Sequence, residues 1–443
     1  MQAPRIKQRQ GRWRRVLSVL FATGLLLLAT THLISSYTSQ NPPNDDSNNH
    51  ASPVETYQLE TLPSRPLKTN AVEFPRIFCM VPTQIRSRET FVTILDLWGK
   101  WCDEIVFTVD PKQYCEPGME ASQPEEEVEL ISSTNGLAIG KIVYLNKLVR
   151  KKGNMCYAGG HGKTKCRHIW EKVWRSWVYV SDHYGQGFDY YFKVDDDTFF
   201  FVPTMREVIM ERAWSAQDHH YFGHRTFPTE SQRGLINGAL AGFSRHTLNT
   251  LVNDVYKQMK HEYGDRTNFK HGQCVDRDGA TEEVTTSICV SKLGVLPEAL
   301  YDSRVLPRRP HVLLWMPRDM LTFSRRDNSS SWFYKNAPRD VGTLLDCCSD
   351  RPVGMHFMRL RADLQRVYEL IVDPNETGEL ENVVKDQVPE WEHSPNEQRT
   401  QCSVFDQSYI PRSTCAKEAR YWLRAKQTWH TRDSSWYAQR LGA

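Results

Sequence analysis

Residues 190–200 read YYFKVDDDTFF, an apolar, β-prone run that ends on three adjacent carboxylates. Such a run belongs inside a body and such a triplet at its surface, so the strand has to stop where it can meet solvent or a cation. Side chains alternate along a strand, so Asp195 and Asp197 point one way and Asp196 the other, provided the strand persists that far. Hard divalent cations such as Mn²⁺ and Mg²⁺ choose carboxylate oxygens and keep positions open for substrate phosphates. The pair therefore reads as a cradle for a metal-bound diphosphate. An acidic turn after a buried strand is the alternative reading.

The N-terminus sets an expected topology. Residues 1–15 carry six cations and no acid, and Val16–Ile34 carries no charge at all. As a helix this run spans ~28 Å, close to the ~30 Å hydrocarbon core of a bilayer. It predicts a cytosolic tail over 1–15 and one transmembrane signal-anchor over 16–34, with everything after it in the lumen by the positive-inside rule. A cleaved signal peptide is the alternative, although the run exceeds the usual ~7–15 residues of a signal core.

The formal charge of +3 falls to −3 once the six N-terminal cations are set aside. That balance argues against a nucleic-acid partner. Eleven cysteines in a lumenal chain point to structural disulfides rather than to zinc or thiol chemistry. Cys156 and Cys166 flank Gly159-Gly160-His161-Gly162 at a spacing that suits no standard zinc site, so a closed or free-thiol loop is expected there.

Residues 35–73 are rich in Asn, Ser, Pro and Thr and hold too little apolar content to fold alone, which reads as a stem. From Phe74 strands alternate with helices. Arg76–Pro82, Glu104–Val109 and Ile142–Leu145 read as strands, Ser87–Trp98 as an amphipathic helix, and Lys165–Tyr184 as a long helix with Ile169, Val173, Trp177 and Val180 on one face. This pattern predicts an α/β domain over 74–372 with a mainly parallel sheet. Ligands of such sheets sit beyond the carboxyl ends of the strands, which is where the aspartates fall. Residues 373–443 form a C-terminal extension. Trp422, Trp429 and Trp436 recur there every seven residues behind Ser413 as an expected N-cap, so one helix face can carry all three indoles against the α/β body. Cys402 and Cys415 can close a loop ahead of it.

Six motifs in order carry a family resemblance: Phe78-Cys79-Met80-Val81, Trp98-Gly99-Lys100-Trp101-Cys102-Asp103, Phe192–Thr198, Tyr221-Phe222-Gly223-His224-Arg225, Glu282-Glu283-Val284 and Cys347-Cys348-Ser349-Asp350. From about residue 76 to 360 the chain resembles family 31 of the inverting glycosyltransferases, and the adjacent cysteines make it most similar to the core 1 β1,3-galactosyltransferase branch. The resemblance implies a GT-A-type nucleotide-sugar-binding fold, a UDP-galactose donor, Mn²⁺ with Mg²⁺ as the alternative, and O-linked N-acetylgalactosamine on a glycoprotein as acceptor. It also implies a single-pass type II protein of the Golgi membrane, with the ER as the alternative, and allows a homodimer.

Inversion is a single displacement, so it needs a base for the acceptor hydroxyl, a sink for the charge on the departing UDP, and positioning. By resemblance Asp195 and Asp197 form the metal pair, with Asp197 the direct ligand, Asp195 toward ribose or the metal's waters, and Asp196 in a supporting role at the nucleotide sugar. The family places a further histidine ligand shortly after the cysteine pair, here His356. The base falls to Glu283, which stands where the family usually has aspartate, with Glu282 as the alternative. Both acids can equally cap the helix they begin. Cys274 and Cys289 bracket the acids and, if bonded, fix their loop. Cys79 with Cys102 similarly ties the first strand to the end of the following helix. A bond between Cys347 and Cys348 stiffens the segment that carries His356, whereas pairing with Cys156 or Cys166 is the alternative. Trp315 and Trp332 are candidates for stacking on sugar.

Two departures bear on the acceptor. In Asn237–Ser244 Leu240 stands where the family has a small residue, so a bulkier side chain is expected where the sugar approaches, and Phe357 replaces a tyrosine. Another β1,3-glycosyltransferase with a different donor or acceptor, and a non-catalytic lumenal chaperone-like relative, are the competing readings. The second is expected to lose the metal carboxylates, which this chain keeps.

Overall fold

Strand β1 (Ile77–Thr83) buries both of its faces, and that property sets the architecture. Ile77, Cys79 and Val81 join one apolar cluster while Phe78 and Met80 join another on the far side. A strand buried on both sides must lie inside a sheet covered by helices twice over. The computed structural model describes residues 74–443 apart from 84–87, 110–125, 146–155, 159–163, 167–168, 227–233, 260, 263–272, 278–281, 303, 316, 323–340, 343–346, 357, 359–360, 376–380, 382–398, 402–408 and 432–443. The expected tail, the expected anchor over 16–34 and the expected stem all lie outside these residues. Among the described residues no helix is long and apolar enough to cross a membrane.

The central sheet has eight strands. They are β1, β2 (Glu104–Val109), β3 (Glu126–Ser132), β4 (Ile139–Leu145), β5 (Tyr190–Val194), β6 (Tyr221–Thr226), β7 (Leu235–Ser244) and β8 (Pro297–Ala299). Their spatial order is β8-β6-β7-β5-β1-β2-β4-β3. Pairings β5/β1, β1/β2, β2/β4 and β8/β6 are parallel, while β7/β5, β7/β6 and β3/β4 are antiparallel. The sheet is thus mixed rather than mainly parallel. The antiparallel β7 enters beside β5, from a glycine- and alanine-rich stretch whose composition hides a strand.

One face is covered by α1 (Arg88–Leu97), α3 (Val202–Glu211), α6 (Arg361–Ile371) and α7 (Arg412–His430), the other by α2 (Ile169–Tyr184), α4 (Arg245–Asp254) and α5 (Glu282–Ser291). Helix α2 begins at Ile169, after a short strand over Thr164–Cys166, and its buried stripe is Trp170, Val173, Trp174, Trp177 and Val180. Ile169, expected on that stripe, is 44% exposed because it sits at the first turn, before the helix reaches the sheet. Cys156 faces Cys166 across the two short strands that close this loop.

The residues beyond 372 are built into the same body: Ala71–Ala443 is one compact unit. Trp422 is fully buried, and Trp429 packs 5.3 Å from Trp101 and 5.6 Å from Phe201, centroid to centroid. Helix α7 starts at Arg412, which puts Ser413 inside the first turn rather than at the cap, and Trp436 and Cys402 lie outside the described residues.

Candidate metal and acid-pair site

Strand β5 stops at Val194, and the three acids that follow form a turn closed by the Thr198 N–H donating to the Asp195 carbonyl at 3.0 Å. Although the strand does not persist through the triplet, its side chains still part to two sides. Asp196 turns back to accept from the Thr83 hydroxyl at the end of β1, and Lys172 of α2 donates to the Thr83 carbonyl at 2.9 Å. Burial pushes the Asp196 carboxyl up, and Thr83 offsets that only in part. Asp195 and Asp197 turn the other way, toward His356.

His356 arrives through a small sheet that forms far along the chain. Gly354–Met355 runs parallel to Val312–Leu313 and antiparallel to Phe199–Phe200, so Met355 pairs with Phe199 immediately after the acidic turn. Two backbone bonds lock the register, His356 N–H to the Leu313 carbonyl at 2.9 Å and Met358 N–H to the Asp197 carbonyl at 2.9 Å. The stretch leading into it is tied at several points. Cys347 is bonded to Cys348, the Arg351 guanidinium bonds Glu207 at 2.9 Å and Glu211 at 2.6 Å, and His311 Nδ1 meets the Arg351 carbonyl at 2.7 Å.

The His356 ring lies 3.3 Å from the Leu314 carbonyl through Nδ1. With the proton on Nδ1 donated there, Nε2 carries a lone pair, and it faces Asp197 Oδ1 at 3.1 Å and Asp195 Oδ2 at 3.8 Å. Burial pushes the Asp197 carboxyl up, but the hydrogen bond and charge of the His356 ring in its protonated form, with a backbone hydrogen bond and Lys193, outweigh it and the net shift is down. One ligand atom from each of the three side chains lies within 4.8 Å of the other two. Two carboxylate oxygens and one imidazole nitrogen, the imidazole oriented by a carbonyl behind it, form a donor set that suits a divalent cation and leaves positions for other ligands.

The acidic pair stands next to this cluster. Glu282 opens α5 and is 6% exposed, and its carboxylate accepts from Lys193 at 3.0 Å rather than from the helix it begins. Burial pushes its carboxyl up to about 7, with Lys193 pulling down and Glu283 and Asp195 pushing up further. Glu283 is half-buried, and no hydrogen bond or ion pair of it is found among the described residues. Its Oε2 lies 3.6 Å from where a Cβ on Gly238 would sit, while Glu282 Oε2 would be only 2.7 Å from it. A side chain at Gly238 would therefore displace the Glu282 carboxylate from its place.

Cys274 is bonded to Cys289 and so ties α5 to the segment ahead of it, and Cys79 is bonded to Cys102. Trp315 is half-buried against the core, one residue past the carbonyl that orients His356, while Trp332 and Phe357 lie outside the described residues. Leu240 departs from the expectation that it meets the sugar. It is fully buried and pairs with Val194, and its Cδ2 lies 3.7 Å from where a Cβ on Gly354 would sit. It packs beneath the strand that delivers His356 instead. The sequence reading passed over Lys193, Gly238 and the Leu314 carbonyl. For Lys193 a signal was present, since a lysine inside an apolar strand must find partners.

No protein-family model matches the chain. Over 199 residues it is 25% identical to glycoprotein-N-acetylgalactosamine 3-beta-galactosyltransferase 1 of Xenopus laevis, a match covering 45% of this chain and 49% of that protein. The chain thus spans about half the length of this curated relative, whose name is that of the branch the motifs resemble.

Proposed function

We propose that the protein is a metal-dependent, inverting β1,3-glycosyltransferase that moves galactose from UDP-galactose to O-linked N-acetylgalactosamine on glycoproteins. The observation that carries the reading is the convergence of Asp195, Asp197 and His356 beyond the carboxyl end of β5, with Glu282 and Glu283 alongside. A nucleotide sugar is the class of ligand such a sheet end accepts. The name of the similar Xenopus protein supports galactose as the sugar, the β1,3 linkage and N-acetylgalactosamine on a glycoprotein as acceptor.

Asp197 and His356 would hold the ion directly, and Asp195 would contribute through its Oδ2. When bound, Mn²⁺ would supply the positive charge that stabilises the departing diphosphate. The protein's own residues do the rest. Glu283 takes the proton of the acceptor hydroxyl as that oxygen forms its bond to the anomeric carbon, while the bond from that carbon to the UDP oxygen breaks and its electron pair leaves with UDP. Attack on the face opposite the leaving group inverts the centre. Asp196 and Thr83 hold the turn from behind, and Trp315 and Trp332 remain candidates for sugar contact. The localisation that accompanies this reading is the Golgi membrane, through a single anchor at 16–34 with a stem to 73, and a homodimer is its candidate assembly.

The test is an assay of the full-length chain with a panel of UDP-sugars and O-glycan acceptors, with and without Mn²⁺. Transfer of galactose to N-acetylgalactosamine only with the metal present is the expected result. Transfer of another sugar would keep the enzyme class and change the donor. No transfer from any donor would overturn the reading.

A further inference from the structure

Lys193 lies in the middle of the sheet, paired with Met80 on β1 and Ala241 on β7, and its side chain is only 3% exposed. An ammonium there is costly to bury unless each of its three protons is taken. All three are: Asp195 Oδ1 lies at 2.6 Å, Glu282 Oε2 at 3.0 Å and the Gly238 carbonyl at 2.5 Å. The three acceptors belong to three separate elements. Asp195 sits in the turn after β5, Gly238 on β7, and Glu282 on the first turn of α5.

Asp195 divides its carboxylate between two tasks, giving Oδ1 to Lys193 while Oδ2 faces His356 at 3.8 Å. Glu282 is held by the same nitrogen, and the next residue in the same helical turn is Glu283. Apolar replacement of a whole buried ion cluster commonly leaves stability unharmed, whereas removing one partner alone strands the other charges. A lysine bridging two acids is therefore better explained by geometry than by stability. Gly238 agrees, since a Cβ there would fall 2.7 Å from Glu282 Oε2 and 3.3 Å from Lys193 Nζ.

We infer that Lys193 is a positioning residue that fixes the distance between the metal-binding carboxylates and the acid that deprotonates the acceptor. This rests on the glycosyltransferase reading above. All three protons of Lys193 go to oxygens of the protein itself. It acts by clamping Asp195 and Glu282 to one point, so that the base-bearing turn of α5 and the diphosphate site stay in register.

The experiment compares full-length wild type, Lys193→Met, Glu282→Gln and the double variant, with kcat and both KM values measured at saturating Mn²⁺ and UDP-galactose. Misplaced reacting groups cost on the order of 10²-fold in rate. Lys193→Met is therefore expected to lower kcat by about that factor even when excess metal fills the site, with donor KM within about threefold. The double variant should be little worse than Lys193→Met alone, since both changes break one linkage. Restoration of wild-type kcat by excess Mn²⁺ would reduce Lys193 to support of the metal site and overturn the inference. So would a kcat within threefold of wild type, or fully multiplicative losses in the double variant. Should Lys193→Met fail to fold, Gly238→Ala carries the same expectation, a drop in kcat at saturating metal with donor KM unchanged, and wild-type turnover from it would count against the clamp. An inactive wild type would instead refute the glycosyltransferase reading itself.

Discussion

Strand β5 has an acid at each end, and the two ends behave differently. At the start, Asp189 accepts from the Arg76 N–H at 2.8 Å and from the Arg245 guanidinium at 3.2 Å, so one carboxylate meets two donors. At the other end, Asp195, Asp196 and Asp197 crowd together near Glu282 and Glu283, and among the described residues only Lys193, His356 and the Thr83 hydroxyl meet these five acids as side-chain partners. A carboxylate satisfied by backbone and guanidinium is a fastener. Several carboxylates drawn together with too few donors call for a cation from outside, and that is the physical mark of a site.

Removing the strongest member of the crowded end breaks the comparison most sharply. Asp197→Ala should lower transfer by about 10³-fold or more and abolish metal-dependent UDP binding, with the circular dichroism spectrum unchanged. Retained Mn²⁺-dependent turnover would show that the crowding has another cause. Glu283→Gln keeps the shape but cannot take a proton, so turnover should fall by ~10²–10⁴-fold while UDP affinity measured by calorimetry holds. A loss below about tenfold would move the base to Glu282. Cys347→Ser/Cys348→Ser loosens the segment that leads to His356, and should weaken Mn²⁺ binding by about 10–100-fold. It should lower Tm by little, because so short a loop removes scant unfolded-state entropy. The opposite balance, with stability lost and affinity kept, would make that bond a fastener too.

At the fastening end the expected pattern reverses. Asp189→Ala should cost about 1–2 kcal/mol in a denaturant titration, the worth of its hydrogen bonds in a partly exposed setting, and leave kcat and the metal requirement as they were. A further effect is one of pH. Glu282, with its carboxyl pushed up to about 7 from an ordinary 4.5, keeps a proton when folded at pH values where the unfolded chain has released it. Its contribution to stability is complete below about 4.5 and is lost as pH rises through about 7. Glu282→Gln should flatten the stability profile across that window, and an unaltered profile would assign the titration to other groups.

Much of this was legible in the sequence, for reasons that differ by residue. The ends of β1 and β2 follow from short apolar runs bounded by charge, and the acids after Val194 announce the end of β5 on their own. His356 could be reached only through the family motif, because a histidine among apolar residues has no local signature and its partner strands lie some 40 and 155 residues away in the small sheet. Strand β7 was hidden by its own packing. A Cβ on Gly242 would fall 2.2 Å from the Phe222 ring and 2.8 Å from that of Phe192, so the strand needs small residues that lower its apparent β propensity. Leu240 is expected at the sugar only because the family's acceptor segment aligns with Asn237–Ser244; inside a central strand the same side chain becomes core.

The central claim is that Asp195, Asp197 and His356 together hold one divalent cation. Titration of the full-length protein with Mn²⁺, followed by the paramagnetic resonance of the free ion with and without UDP, measures it directly. One ion bound per chain, more tightly with UDP present and not at all in His356→Ala, is the predicted result. An unchanged stoichiometry and affinity in His356→Ala would contradict it.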